Sequence, residues 1–144
     1  MPLVGGELAG EEIARLIPHS GSMVMLDRVV DWHRGNISCW TEAHLRLDNP
    51  LRRDGILPAV AGIEIAGQAM AVHGRLISEG PQRKGLLGGL RDIRLNVSRL
   101  DDLHVPLVVD AQLLGGNSGG RIYLFKVCAD LRILLEGRAS VFSV

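Results

Sequence analysis

The apolar positions of this chain follow a helical spacing first, then strand-like runs, then one long apolar helix, then strands again. Ile13, Leu16 and Ile17 share one side of a short helix predicted from Glu11 to Ile17, which Pro18 stops by disfavouring helical geometry in the residue before it. Met23 to Trp32 and Asn36 to His44 read as strands, joined into a hairpin by the turn at Arg34-Gly35-Asn36. Residues 45–57 read as loop, with Asn49-Pro50 and Asp54-Gly55 as turn signals. Pro58 to Ile77 then carries apolar residues on every side of a helical wheel, which predicts a helix buried all round. Proline suits its first turn. Gly62 and Gly67 in its interior, each unfavourable by about 1 kcal/mol relative to Ala, make sense where a neighbouring backbone approaches closely. After Gly80-Pro81, four strands are predicted near Gly85–Asn96, Val105–Leu114, Arg121–Ala129 and Ile133–Phe142. The run GGNSGG between the middle two reads as a hairpin loop. It lacks the Gly-Lys-Ser/Thr ending and the following helix of a phosphate loop.

The layout is therefore α+β: one long helix wrapped by a strongly curved antiparallel sheet of about six strands, within a single domain spanning 1–144. Such a sheet leaves edges, and pairing across a twofold axis would cover them. At 144 residues the chain buries about 68–70% of its unfolded surface, and with 3% aromatics its core must be built from aliphatic side chains. Its 16 basic and 16 acidic residues argue against nucleic-acid binding, which needs a basic excess, and favour self-association. Cys39 and Cys128 form no CxxC pair and read as buried thiols. The N-terminal MPLVGGELAGEE lacks the basic region of a secretory signal, and no apolar run is long enough to span a membrane. The expectation is a cytoplasmic protein.

Glu64 is the most informative residue. An unpaired carboxylate is costly to bury, so on an apolar helix it is paired, protonated or functional. Gln68, four residues on, shares its face. Two readings stay open: a structural carboxyl satisfied by Gln68 and backbone donors, or a general acid/base. His19, in IPHSGSMVMLDRV, reads either as a hydrogen-bonding residue at the entry to the first strand or as a site group. Arg52, Arg53 and Asp54 form either a solvated loop or a substrate mouth. His44, His73 and His104 have no ligand spacing with Cys or acidic residues, so neither a metal nor a cofactor is expected. No serine lies in a GxSxG context.

Two segments resemble the 3-hydroxyacyl-carrier-protein dehydratases. IPHSGSMVMLDRV (17–29) resembles their opening, with a Pro-His pair, apolar residues and Asp-Arg-Val. LPAVAGIEIAGQAMA (57–71) resembles their central helix, in which a proline precedes a glutamate by six residues and a glutamine follows it by four, as Pro58, Glu64 and Gln68 do here. LLGGLRDIRLNV fits the third strand of the family. The variant PLRRDG–LPA–GIE–AGQAMAVHG resembles the divergent branch found in aryl-polyene-type gene clusters.

The resemblance implies a hot-dog fold, a homodimer or trimer of dimers, and a substrate carried as a thioester on an acyl carrier protein or coenzyme A. Glu64 occupies the position of the catalytic acid. Gln68, Gly62, Asp54, His19 and Ala59 are expected around the substrate, and the Ala59–Gly62 turn is expected to offer backbone N–H groups to the thioester carbonyl. One departure stands out. The family carries its histidine in a Gly-His-Phe-Pro stretch before the helix, where this chain has Arg53-Asp54-Gly55-Ile56-Leu57-Pro58. Three explanations follow. Asp54 or another group replaces the histidine; a histidine from elsewhere, such as His19, reaches the site; or the chain is a non-catalytic partner in a mixed dimer with a paralogous dehydratase. The expected function is a 3-hydroxyacyl-thioester dehydratase of fatty-acid or polyene biosynthesis, with the partner subunit and an acyl thioesterase as alternatives.

Overall fold

Strict alternation along the late strands decides which side of the sheet meets the helix. In the computed structural model, which describes residues 4–78, 85–117 and 119–143, the strands are β1 (Val4–Gly5), β2 (Leu8–Ala9), β3 (Arg28–His33), β4 (Asn36–Thr41), β5 (Gly85–Leu95), β6 (Leu107–Asn117), β7 (Gly120–Ala129) and β8 (Arg132–Ser143). The helices are α1 (Gly10–Ala14) and α2 (Ala61–Ile77). Leu107, Val109 and Ala111 of β6 and Tyr123, Phe125 and Val127 of β7 point inward and are fully or nearly fully buried, while Asp110, Gln112, Leu124 and Lys126 face outward. Ile37 and Cys39 of β4 continue the inner layer. All the strand pairs are antiparallel, in the order β1-β3-β4-β6-β7-β8-β5, with β2 also on β3. Helix α2 packs against β4 through β8. This is the hot-dog arrangement that the resemblance implies.

The six longer strands match the predicted ones, and the two extra strands are two-residue pairings on β3 too short to leave a pattern. Several boundaries move, among them the end of β4, which stops at Thr41 where Ala43–Leu45 forms a 3₁₀ turn. Helix α1 stops at Ala14, short of Ile17. Strand β3 begins at Arg28 rather than Met23, because Gly21–Met23 forms a 3₁₀ turn and the backbone after it is held by side chains instead of a ladder. Helix α2 begins at Ala61 rather than Pro58. Residues 57–59 are instead extended against residues 98–101: Ala59 N–H donates to Ser98 O (3.0 Å), Leu100 N–H to Leu57 O (2.9 Å), and Pro58 bridges Arg99. The buried Asp101 carboxylate anchors this strap, accepting Leu57 N–H at 2.8 Å and both Nε and Nη2 of Arg99. These bonds hold the Asp101 carboxyl well below the usual carboxylate range. The Gly80-Pro81 break and Ser118 of GGNSGG lie outside the described residues.

The helix also departs from the expectation of burial all round. Val60 is exposed, and Glu64, Gly67, Ala71 and Gly74 are half-buried, so one stripe of α2 stays open. Apart from Glu64 the stripe is small and apolar, which is why the wheel reads as uniformly buried. Strand β5 borders it: a Cβ on Gly67 would lie 4.0 Å from Leu87 Cδ2.

Candidate functional site

The open stripe of α2 carries Glu64 one turn inside the helix, and the segment before β3 brings His19 onto it. His19 Nε2 lies 2.8 Å from Glu64 Oε1, with side-chain exposures of 24% and 36%. Gln68 completes the group. Its Oε1 accepts Met25 N–H at 2.8 Å, and its Nε2 donates to Met23 O at 2.7 Å and to Glu64 Oε1 at 3.3 Å. One buried side chain thus fixes both the carboxylate and the segment that delivers the histidine. Oε1 of Glu64 is held by two donors, while Oε2 has no hydrogen-bond partner among the described residues. His19 Nδ1 is buried and has no hydrogen-bond partner among the described residues.

A second clamp steadies the same segment from the other side. Asp27 accepts from Arg46 Nη2 (2.5 Å), Glu42 N–H (2.6 Å) and Thr41 Oγ1 (3.2 Å), and Arg46 Nη1 donates to Val24 O (3.2 Å). Sequence reasoning missed this clamp, although Asp27 is the aspartate of the Asp-Arg-Val signature.

The remaining expected site residues are placed elsewhere or differently. Asp54 stands exposed in the turn before α2, at φ 53°, and makes none of the hydrogen bonds to the His19–Glu64–Gln68 group. Gly62 is a packing residue: a Cβ there would meet Leu135 Cδ2 at 2.5 Å, so its lack of a side chain lets α2 sit against β8. Gln68 is 1% exposed, with both amide atoms engaged by the Met23, Met25 and Glu64 partners above. The Ala59 amide is already bonded to Ser98 O, and those of Ala61, Gly62 and Ile63 bond to Pro58, Ala59 and Val60 carbonyls. The Val60 amide, at the N-cap of α2, is the one in this turn without a partner among the described residues. The arginines of the loop are engaged by backbone carbonyls: Arg52 donates to those of His44, Arg46 and Gly55, and the exposed Arg53 to those of Pro50 and Arg52.

Other titratable groups belong to the frame. His73 donates Nε2–H to His33 O (2.8 Å), so its Nδ1 accepts the Tyr123 hydroxyl (2.7 Å). His44 donates Nε2–H to Leu103 O (2.8 Å). Burial lowers the pKa of both histidines. It pushes the Cys39 thiol up to about 12, which leaves it unreactive. Among the described residues no helix is long and apolar enough to cross a membrane.

Comparison with known proteins agrees with the segments that carry the resemblance. The model of the ApeP-like family, described as ApeP dehydratase, matches residues 11–144. None of the curated proteins matches. Among solved structures, the chain is similar to the dehydratase heterocomplex ApeI:P from Xenorhabdus doucetiae, with a TM-score of 0.82 at 22% identity over 92% of this chain and 90% of that one. It is also similar to a thioesterase from Haemophilus influenzae, with a TM-score of 0.68 at 10% identity over 99% and 94% of the two chains. A mutant thioesterase from Pseudomonas aeruginosa gives 0.60 at 11% identity over 81% of each. These identities speak for the fold, and the family match, which spans nearly the whole chain, speaks for the lineage: this protein belongs to the ApeP-like dehydratase family.

Proposed function

We propose that the chain acts on 3-hydroxyacyl thioesters of a polyene or fatty-acid pathway, removing water between C2 and C3, with Glu64 and His19 as its catalytic pair. The observation that carries this reading is the 2.8 Å contact between His19 Nε2 and Glu64 Oε1. Dehydration needs one group to take the C2 proton and another to protonate the leaving 3-hydroxyl, which departs as water. A carboxyl and an imidazole sharing one proton supply both, and their hydrogen bond returns the proton for the next turnover. His19 comes from the same chain as Glu64 and from a segment other than the one in which the wider family places its histidine. The Val60 amide, one helical turn before Glu64 and without a partner among the described residues, would polarise the thioester carbonyl.

A mixed dimer is the assembly best supported. The matched neighbour from Xenorhabdus doucetiae is a dehydratase heterocomplex. Among the described residues β5 ends the sheet with an unpaired edge beside the site, and its inner-face Leu87, Leu90 and Leu95 are 41%, 43% and 47% exposed. A paralogous dehydratase paired along that edge would cover these leucines and roof the open stripe of α2, forming an apolar passage for the acyl chain.

The test is hydration of an enoyl thioester, followed by loss of its ultraviolet absorbance, with this chain alone and with the paralogue. Glu64→Gln and His19→Gln are each expected to slow the reaction by about 100-fold or more. Turnover unaffected by either substitution would leave this chain the role of a non-catalytic partner. Release of free thiol instead would identify a thioesterase.

A further inference from the structure

Strand β5 carries two arginines, Arg91 and Arg94, and its neighbour β8 carries Arg138 directly opposite Arg91. All three are exposed. Like charges directly opposite on antiparallel strands destabilise the pair, yet Arg91 and Arg138 have no hydrogen-bond or ion-pair partner among the described residues. The nearest acids in the register do not resolve this. Glu136 stands opposite both Arg94 and Lys126, and Asp92 sits in the bulge between Arg91 and Arg94 with φ 55°. The pair also lines a small outer-face cavity with Gly89, Ile122 and Ser140. The chain as a whole is neutral, so this is a local concentration of positive charge, and it lies at the open edge of the sheet.

Its place in the strand gives it a consequence. Arg91 is one residue from Leu90, the midpoint of Gly85–Leu95. If two copies paired antiparallel about that midpoint, Arg91 of one would lie diagonal to Arg91 of the other, roughly 7–8 Å away. Arg138 of each copy would flank them. Four guanidinium groups would then crowd the same outer face around the twofold axis.

We infer that the Arg91–Arg138 pair is a partner-selecting device: it weakens pairing of β5 with a second copy of this chain and favours a hot-dog partner whose edge strand presents carboxylates on the corresponding face. Specificity achieved by repulsion of the wrong partner as well as attraction to the right one is a common use of edge charges. The inference rests on the mixed-dimer reading above but is tested without any catalytic assay.

The experiment is sedimentation equilibrium of the purified full chain at about 50 and 500 mM salt, with the double variant Arg91→Glu/Arg138→Glu run alone and as an equimolar mixture with wild type. Screening falls within a Debye length of about 10 Å at 0.1 M salt, so wild-type self-association should tighten about tenfold as salt rises. The mixture should form mixed dimers about tenfold tighter than either protein forms alone, and more so at low salt. The neutral variant Arg91→Gln/Arg138→Gln should self-associate more tightly than wild type. A wild-type homodimer that is tight at low salt and indifferent to salt, or a mixture without preference for mixed dimers, would overturn the inference. Because the readout is mass, a null result in the enoyl assay would sink the dehydratase reading and leave this one standing.

Discussion

Gln68 shows how a residue can govern a site that it does not face. It binds the backbone on both sides of Val24 and the carboxylate one turn earlier on its own helix. Gln68→Leu keeps the bulk and removes every one of these bonds, leaving the Met25 N–H and the Met23 carbonyl without their partner. The expected loss is about 1–3 kcal/mol for each group left buried and unsatisfied, read as a lower denaturant midpoint. Turnover should fall further than stability alone explains, because the His19 segment loses its anchor. Glu64 and Gln68 were legible in the sequence, since four residues on a helix are always neighbours. The partnership of His19 with Glu64 was legible only as one option among three. The two are 45 residues apart, and only the path of the chain across the sheet brings them together. Asp54 and Ala59 came from the family resemblance, which carries no information on the path of this loop: a left-handed turn exposes the first, and the amide of the second donates to Ser98 O.

At the scale of elements, α2 is held at its start by Asp101 and at its far half by His73. Tyr123→Phe removes the donor to His73 Nδ1 in a buried setting and should cost about 1–3 kcal/mol in chemical denaturation. The same histidine, with His44, sets an acid limit. Burial places the folded-state pKa of each below the value of about 6.5 found in unfolded chains. As pH falls through that value the unfolded state takes up protons first, so stability that is present above about pH 6.5 is lost below it. Denaturant midpoints at pH 7.5 and 5.5 should differ in that direction, and His73→Gln should flatten the dependence. The six longer strands and α2 were readable because alternation and the Pro58-led apolar run are strong signals. The start of α2 was not, since the extended path of residues 57–59 depends on a segment some forty residues later.

For the whole molecule, the sequence predicted uncovered sheet edges, and the structure locates the long one at β5, beside the open stripe that carries Glu64. What the pattern could not convey is that the apolar wheel of α2 is apolar for two different neighbours. One is this chain's own sheet, which buries Ile65, Ala66, Ala69 and Met70. The other, on the mixed-dimer reading, is the partner that would cover Gly67, Ala71 and the leucines of β5. On the mixed-dimer reading proposed above, the chain is a chemically equipped half of a two-chain site. The proposed joint action of His19 and Glu64 is tested most directly by a double-mutant comparison of enoyl-thioester hydration in the reconstituted pair. If they share one proton-transfer task, His19→Gln/Glu64→Gln should be about as slow as either single variant, the non-additivity expected of residues acting as a unit. If the two losses multiply, or if either single variant keeps the wild-type rate, the claim is contradicted.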